Sequence, residues 1–198
     1  MPALNEEQAI AQVFDALPPG LFARILVVDN GSTDATAEVA RARGAEVVSE
    51  RRRGYGQACL AGLAALSHDP DIVVFMDADG SDVPAEAELL LESIRRGEAD
   101  LVIGSRALGG AEPGSLTWPQ RWGNRLSCAL IRLLFGHRYT DLGPFRAIRR
   151  QSLEALGMQD TNFGWTVEMQ VKALKRGLRV AEVPVSYRRR LGQSKISG

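Results

Sequence analysis

The sequence of 198 residues is poor in the residue types that build disulfide frameworks and cysteine–histidine metal sites. It contains two cysteines, Cys59 and Cys128, and two histidines. Each cysteine lies in an apolar stretch with a helical pattern, which predicts two buried free thiols. The spacing of the cysteines is not one that binds metal ions.

Long apolar runs and a net charge are also absent. The longest apolar stretch, 126–131, is broken by Arg132 and is too short to span a bilayer. No secretory signal is recognisable, so we expect a cytoplasmic protein. The 24 basic residues balance the 24 acidic ones, and we expect no nucleic-acid partner. Basic clusters at 51–53, 149–150 and 188–190 would usually be solvated surface, although several converging on one cleft would suit phosphates.

Strand and helix patterns alternate along the first half of the chain. Apolar runs predict strands at 25–28, 47–48, 72–76 and 101–103, with helical segments between them. This rhythm predicts an α/β fold with a mostly parallel, Rossmann-like sheet and helices on both faces. Beyond Gly104 the pattern changes to a loop at 107–119, helices at 121–135 and 166–176, and a strand at 178–187. No repeat or linker interrupts the chain, so we predict a single domain over 1–198.

Acidic residues follow two of the predicted strands. Asp29 ends the first, and Asp77-Ala78-Asp79 follows the third. Ligands bind beyond the carboxyl ends of the strands in such sheets, so these acids are expected to share a cleft. Two carboxylates two residues apart can both reach a divalent cation, and their hard oxygens suit Mg²⁺ or Mn²⁺.

An Asp-x-Asp tripeptide alone is weak evidence, because a solvated turn has the same sequence. A calcium loop would use Asp77, Asp79, Ser81 and Glu88, but Asp82 stands where that loop requires glycine. A phosphatase of the haloacid dehalogenase class would use Asp77 as its nucleophile. Against the phosphatase, some seventy residues precede the motif, and no acidic pair follows a later strand.

Other short segments accompany this tripeptide in a fixed order over nearly the whole chain. They are Pro2-Ala3-Leu4-Asn5-Glu6, Asp29-Asn30-Gly31-Ser32-Thr33-Asp34, Arg53-Gly54-Tyr55-Gly56, Gly104-Ser105-Arg106, Thr140-Asp141-Leu142-Gly143-Pro144-Phe145-Arg146 and Gly192-Gln193-Ser194-Lys195. With Asp77-Ala78-Asp79, this series resembles family 2 glycosyltransferases of the GT-A fold. Within that family it is most similar to the dolichyl-phosphate mannose and glucose synthase group.

The resemblance implies an inverting, metal-dependent transfer of a hexose from a UDP- or GDP-linked sugar. The expected acceptor is a polyprenyl phosphate, and a glycan of the cell envelope is the alternative. Residues 1–106 would form the nucleotide-binding half and residues 107–198 the acceptor half. A peripheral contact with the inner face of the membrane, through residues 126–135, would fit such an acceptor.

The resemblance also implies roles for individual residues. Pro2, Leu4 and Glu6 would border the base and ribose, and Asp29 would bond the base unless it only caps the next helix. The donor diphosphate and its Mg²⁺ or Mn²⁺ would lie at Asp77, Ala78 and Asp79, with Gly56 and Lys195 also on the donor side. The acceptor phosphate would contact Arg106, Arg121 and Arg125. Asp141 would be the catalytic base or, for an acceptor that is already an anion, a positioning group.

The chain departs from this family at three points. Relatives carry an apolar strand before the opening proline, central in their sheet, so we expect the first strand to be missing here. Ser81 replaces a glutamine that is frequent in the lipid-phosphate branch, and Pro144 replaces a small residue. Trp165 is expected either to line the acceptor cleft or to be an ordinary core residue.

Overall fold

The structure, a computed structural model, describes residues 1–66 and 71–192. The strands are β1 (Pro2–Ala3), β2 (Leu26–Asp29), β3 (Glu46–Ser49), β4 (Ile72–Phe75), β5 (Leu101–Ser105), β6 (Arg146–Arg149) and β7 (Val180–Pro184). The helices are α1 (Glu7–Asp15), α2 (Thr36–Ala42), α3 (Tyr55–Ala65), α4 (Ala87–Arg95), α5 (Arg106–Gly109), α6 (Trp118–Phe135), α7 (Arg150–Leu156) and α8 (Trp165–Lys175). A short 3₁₀ turn, Pro84–Glu86, leads into α4.

The strands form two sheets. The first has the order β1-β2-β3 with all pairings parallel, and the second has the order β4-β6-β5-β7. In the second sheet β5 and β7 are parallel, whereas β6 runs antiparallel to both β4 and β5. The predicted α/β class, with parallel pairing in the majority, is confirmed.

Helices cover both faces of the second sheet because its strands are apolar on both sides. Leu101 and Ile103 of β5 belong to a core cluster with residues of α3, α7 and α8. Val102, between them, belongs to a different cluster with residues of α4. Successive side chains therefore reach opposite faces, and each face has its own hydrophobic core.

Helix α6 begins three residues earlier than the sequence pattern indicated. Thr117 caps it, since its side chain accepts from the Gln120 amide while the Gln120 side chain accepts from the Thr117 amide. Pro119 is tolerated in the first turn. The predicted loop at 107–119 was therefore wrong at its end, and it was wrong at its start, where residues 106–109 form α5.

An apolar cavity of about 450 Å³ separates the two sheets. Leu26 and Val28 of β2 line one side, and Ile72 and Val74 of β4 line the other. Beside this cavity β1 supplies only two paired residues. The gap therefore lies in the middle of the strand array.

Two further expectations are settled by the packing. Cys59 and Cys128 are buried free thiols, as predicted. Trp165 is 1% exposed and packs edge-on against Phe75, so its role as a core residue is confirmed. Among the described helices, none combines the length and apolar character needed to cross a bilayer.

Candidate functional site

A turn rich in carboxylates follows the carboxyl end of β4. Asp79 Oδ1 accepts hydrogen bonds from the Ser81 amide at 2.9 Å and the Ser81 hydroxyl at 2.5 Å. Asp82 Oδ2 accepts from the Asp77 amide at 3.1 Å. Asp77 Oδ1 and Asp82 Oδ1 are buried and have no hydrogen-bond partner among the described residues. The turn thus holds three acids close together with two oxygens left unsatisfied.

The proximity of these acids changes their proton affinity. Burial, followed by the neighbouring Asp79 carboxylate, raises the pKa of Asp77 to about 7, and a hydrogen bond from Tyr55 partly opposes the rise. Burial and the charge of Asp77 also raise the pKa of Asp82 well above its ordinary value. Concentrated negative charge of this kind favours a bound cation.

The carboxylates of this turn can supply part, but not all, of the ligand shell of Mg²⁺ or Mn²⁺. The described residues contain no cluster of three His, Cys, Asp or Glu side chains that could enclose a metal ion on their own. Mg²⁺ is commonly held by one or two carboxylates, with water and substrate phosphates as its other ligands. Asp77 and Asp79, with an unsatisfied oxygen on Asp77, meet that requirement.

A C-terminal strap, residues 187–191, lies across this turn. The Arg188 amide donates to Ser81 O at 2.8 Å, and the Leu191 amide donates to Asp79 O at 2.9 Å. Arg190 Nη2 lies 2.8 Å from Asp79 Oδ2 and 3.4 Å from Glu6 Oε1. The strap therefore links the acidic turn to the N-terminal segment. Lys195, predicted to close over the same site, lies outside the described residues.

The predicted nucleotide-side residues gather around the ends of β1 and β2. Pro2 pairs with Val28, and the Asn30 amide donates to Ala3 O at 2.8 Å. Asp29 Oδ1 accepts from the Ser32 amide at 3.0 Å, so this acid does stabilise the turn before α2. Glu6 is 6% exposed and lies beside Arg190, whereas Leu4 is half-buried. Their contacts with a nucleotide remain predictions.

Glycines at the start of α3 serve a close contact within the protein. A Cβ at Gly56 would lie 2.1 Å from Asp160 O, and one at Gly54, whose φ is +139°, would lie 2.2 Å from Thr161 O. The Gly56 amide donates to Asn162 O at 3.2 Å. The absence of side chains therefore allows α3 to pack on 160–162, and the donor role predicted for Gly56 stays a prediction.

Asp141 and Arg106, which are 35 residues apart in the chain, form a buried ion pair. Arg106 donates through Nε to Asp141 Oδ2 and through Nη2 to Oδ1, both at 2.7 Å. The Arg106 amide also donates to Oδ2, and the Leu142 amide to Oδ1, both at 2.8 Å. A carboxylate has about four acceptor positions, and all are filled here. Asp141, 1% exposed, is therefore placed to orient Arg106, and its role as catalytic base stays a prediction.

The Arg106 guanidinium is held firmly beside the acidic turn. Burial disfavours its charge, but the hydrogen bonds that it donates to Asp141, together with the charge of that carboxylate, outweigh this effect and raise its pKa. Its guanidinium carbon lies 4.9 Å from the centre of the Tyr187 ring, so the strap also contacts it. Arg106 is consequently a fixed positive charge that favours the ionised forms of Asp77 and Asp82 and so lowers the pKa of each.

Several polar residues that the sequence did not indicate support the Asp141 loop. Glu182 accepts from the Thr140 and Asp141 amides at 2.9 to 3.1 Å. Gln170 Nε2 donates to Asp141 O at 3.1 Å, and buried Arg146 donates to Gly143 O. Arg146 belongs to a recognised motif, but nothing in the local sequence indicates that it, Gln170 and Glu182 converge.

Arg121 and Arg125, the other predicted acceptor residues, lie on α6 and are exposed. Within residues 1–66 and 71–192 their side chains make no hydrogen bond or ion pair. The α6 residue that does contact the loop is Asn124, which accepts from the Leu142 amide at 2.9 Å and donates to Thr140 O at 3.3 Å. The structure thus places these arginines on a helix that touches the Asp141 loop.

The calcium-loop alternative does not match this geometry. Strand β4 precedes Asp77 where an incoming helix is required. Glu88, which would be the last ligand, is an exposed residue of α4 that pairs with Arg95. Its carboxylate is engaged on the helix surface, so the 77–88 segment does not have the ligand arrangement of such a loop.

Comparisons with known proteins agree with one another. The model of "Glycosyl transferase family 2" matches residues 1–157. An uncharacterised glycosyltransferase of Mycobacterium tuberculosis is 42% identical over 203 residues, covering 100% of this chain and 88% of the relative. An undecaprenyl-phosphate mannosyltransferase of Micrococcus luteus is 34% identical over 219 residues, covering 100% of this chain and 86% of the relative.

Among solved structures, a glucosyl-3-phosphoglycerate synthase of Mycobacterium tuberculosis superposes with a TM-score of 0.77 and 29% identity. The match covers 98% of this chain and 70% of that protein, which was crystallised with Mn²⁺, UDP-glucose and phosphoglyceric acid. These similarities do not favour the phosphatase alternative.

Proposed function

Since the chain belongs to glycosyl transferase family 2 and is a glycosyltransferase, we propose that it transfers a hexose from a nucleoside-diphosphate sugar to a polyprenyl phosphate. The observation that carries the proposal is the carboxylate turn after β4, where Asp77, Asp79 and Asp82 lie beside two arginines. The solved relative with Mn²⁺ and UDP-glucose supports the donor class, and the undecaprenyl-phosphate mannosyltransferase supports the acceptor class.

On the donor side, Asp79 and Asp77 would hold Mg²⁺ or Mn²⁺, which neutralises negative charge on the departing diphosphate when bound. Arg190, between Asp79 and Glu6, is placed to contact the same phosphates once a cation takes over the Asp79 carboxylate. Pro2, Leu4, Glu6 and Asp29, at or near the ends of β1 and β2, would border the base and ribose.

On the acceptor side, Arg106 is the central residue. Asp141 fixes its guanidinium plane through two hydrogen bonds, and a fixed fork suits phosphate oxygens. Arg121 and Arg125 supply further positive charge from α6. An acceptor phosphate that is already ionised carries no hydroxyl proton to remove, so Asp141 contributes by positioning Arg106 and not as a base.

The reaction then needs one substitution at the anomeric carbon. An acceptor phosphate oxygen forms the new C–O bond as the bond to the nucleoside diphosphate breaks, and the leaving electron pair remains on the diphosphate. Attack from the opposite side inverts the anomeric configuration. The positively charged side chains of Arg190 and Arg106 would stabilise the negative charge that develops on the diphosphate.

Donor binding provides the first test. Thermal unfolding is measured with UDP, GDP and their hexose derivatives, with and without Mn²⁺, and we expect one nucleotide series to raise Tm only when Mn²⁺ is present. Transfer to a short-chain polyprenyl phosphate, to phosphoglyceric acid and to a glycan then identifies the acceptor. Absence of any metal-dependent nucleotide effect would contradict the proposal.

Replacing Asp79 tests the metal site. Asp79→Asn should lower transfer by roughly 100-fold or more, because it removes a charged ligand where diphosphate charge develops. Glu98→Gln, an exposed change near the amino end of β5, is the matched control and should keep full activity. If the Asp79→Asn protein keeps its native Tm and turns over at the normal rate, the cation binds elsewhere.

A further inference from the structure

Helix α6 carries most of the exposed large apolar side chains of the described chain. Trp118, Trp122, Leu126, Leu130 and Leu133 are 74%, 55%, 42%, 47% and 79% exposed, and we call these five residues the α6 outer face. Their spacing of four or three residues places them in one stripe along the helix. Cys128 and Ile131, on the opposite side, are buried against the core. The helix is therefore apolar on both its inner and its outer side.

The α6 outer face is long and continuous. The stripe from residue 118 to residue 133 extends for about 22 Å along the helix axis. Trp118 and Trp122 stack on each other with their ring centres 6.5 Å apart. Leu134, 70% exposed, widens the stripe near the C-terminal end. Contiguous apolar surface of this kind on a folded protein indicates a binding surface.

The charges of α6 are all positive. Arg121, Arg125 and Arg132 are exposed, and residues 118–135 include no Asp or Glu. At α-helical spacing the three arginines form a row rotated by roughly 100° from the apolar stripe. An apolar face beside a row of arginines is the pattern of helices that lie in the interface of an anionic bilayer. Tryptophan is also enriched at that interface.

The arginine row lies between the α6 outer face and the candidate acceptor loop. Asn124, which bonds Thr140 O and the Leu142 amide, lies roughly 80° further around the helix than the row. A helix resting on a bilayer through its outer face would therefore hold its arginines at the level of lipid phosphates. The Asp141–Arg106 pair would lie directly behind them.

We propose that the α6 outer face docks this glycosyltransferase on an anionic lipid bilayer, with α6 parallel to the surface and the arginine row facing the headgroups. The inference rests on the proposed function, because it supplies the route by which a lipid phosphate reaches Arg106. A second copy of the chain fits this surface less well. Pairing two such helices would bring arginine rows of like charge together without any acid on either helix.

Vesicle binding tests the proposal directly. The full chain is centrifuged with vesicles of phosphatidylcholine alone or of phosphatidylcholine with phosphatidylglycerol. We expect the protein to bind the anionic vesicles. Each arginine near an anionic surface raises the affinity about fivefold, so the three arginines of α6 should make binding on the order of 100-fold tighter than to neutral vesicles. High salt should reduce the difference, because it screens the arginines.

Matched variants locate the contact. Leu133→Glu should weaken binding to anionic vesicles at least tenfold, whereas Leu89→Glu, at a residue of α4 that is 42% exposed, should not. Both positions are solvent-exposed, so both variants should keep the Tm of the parent protein. Equal effects of the two substitutions, or no binding of the parent protein to anionic vesicles, would overturn the proposal.

Tryptophan fluorescence gives an independent measure. Trp118 and Trp122 are exposed and Trp165 is buried, so brominated lipids should quench the fluorescence of the parent protein but not that of the double variant Trp118→Phe, Trp122→Phe. Sedimentation in the absence of lipid shows whether the surface instead joins two copies. A dimer that Leu133→Glu dissociates, with vesicle binding unchanged, would assign the surface to self-association and reject the membrane.

The outcome is separable from that for the proposed function. Nucleotide-dependent thermal shifts are measured without vesicles and do not involve the α6 outer face. Intact nucleotide binding with no vesicle binding rejects the docking proposal alone. Vesicle binding without any nucleotide effect rejects the transferase chemistry and leaves the membrane contact in place.

Discussion

At the scale of single residues, the site is organised by pairs that neutralise buried charge. Arg106 is paired with Asp141, and Arg190 is paired with Asp79 and lies near Glu6. Each arginine supplies the opposite charge to a carboxylate that would otherwise be buried without one. The Arg106–Asp141 pair is expected to persist during the reaction, because protein groups fill every acceptor position of Asp141. Asp79, in contrast, is expected to exchange Arg190 for a cation.

Arg190→Gln should reveal that exchange. Removing the guanidinium leaves Asp79 free for a cation, so Mn²⁺ affinity without nucleotide should rise roughly fivefold, as expected for a partly exposed ion pair of about 1 kcal/mol. Titration calorimetry or electron paramagnetic resonance measures free Mn²⁺. Arg189→Gln, which alters a strap residue that donates to Pro113 O, is the control and should have no effect. A lower Mn²⁺ affinity in Arg190→Gln would contradict this view of Arg190.

Asp100, far from the site in the sheet, should make stability depend on acid. Hydrogen bonds from the Arg179 side chain lower the pKa of Asp100 below its ordinary value of 3.8. Partial burial opposes this effect, and a further hydrogen bond from the Arg179 amide adds to it. The folded protein then binds fewer protons than the unfolded chain. This stabilisation is complete above the unfolded pKa and disappears as the pH falls through the lower, folded value.

Asp100→Asn should therefore reduce the free energy of unfolding by about 1 kcal/mol at pH 7, because it removes the charge from solvent-screened ion pairs with Arg179 and Arg149. Below pH 4 the difference from the parent protein should shrink. Urea unfolding at several pH values measures both effects. Glu92→Gln, which breaks an exposed pair with Arg96, is expected to change stability by less than about 0.5 kcal/mol at either pH. A constant difference across the pH range would speak against this account.

At the scale of elements, the local sequence predicted whether a segment forms a helix or a strand better than it predicted the residue at which the element begins. The apolar run of β4 and the acids that follow it were placed correctly from the sequence. The start of α6 was not, because Thr117 and Gln120 form a capping box within a stretch whose glycines and prolines favour a loop. Short α5 has no periodicity of its own and follows from the Ser105 cap and from packing against β7.

Two glycine substitutions should separate local helix propensity from tertiary packing. Gly123→Ala lies within α6, where a new Cβ meets nothing within 4 Å, so it should stabilise the protein by about 0.5–1 kcal/mol. Gly56→Ala places a Cβ against the Asp160 carbonyl and should destabilise by about 3 kcal/mol or more. Urea titrations followed by circular dichroism compare the two. Similar effects from both would mean that the α3 contact with 160–162 yields easily.

At the scale of the whole molecule, the dominant feature is the apolar cavity between the two sheets. Atoms lining such a space lose the dispersion contacts that a filled core provides. The chain should therefore bind the dye anilinonaphthalene sulfonate in its native state, since the cavity of about 450 Å³ is apolar and open on one side.

Filling part of this space should stabilise the fold. Ala58 lies on α3 and lines the cavity, so Ala58→Met is expected to raise Tm by roughly 2–4 °C and to lower dye fluorescence. Ala64→Met, an exposed position on the same helix, is the control and should change neither quantity. A lower Tm for Ala58→Met would indicate that the cavity walls cannot accept the longer side chain.

The sequence by itself determined the α/β class, the family resemblance and the position of Asp77 and Asp79 after an apolar strand. These features depend on local periodicity and on residues that are close in the chain. The tertiary structure alone decided that Arg190 lies on Asp79 and that the Arg106 guanidinium pairs with Asp141. Those partners are 111 and 35 residues apart, so only the packing of distant elements determines which charges meet. The same packing leaves the α6 outer face exposed, where periodicity alone would have assigned its apolar residues to a core.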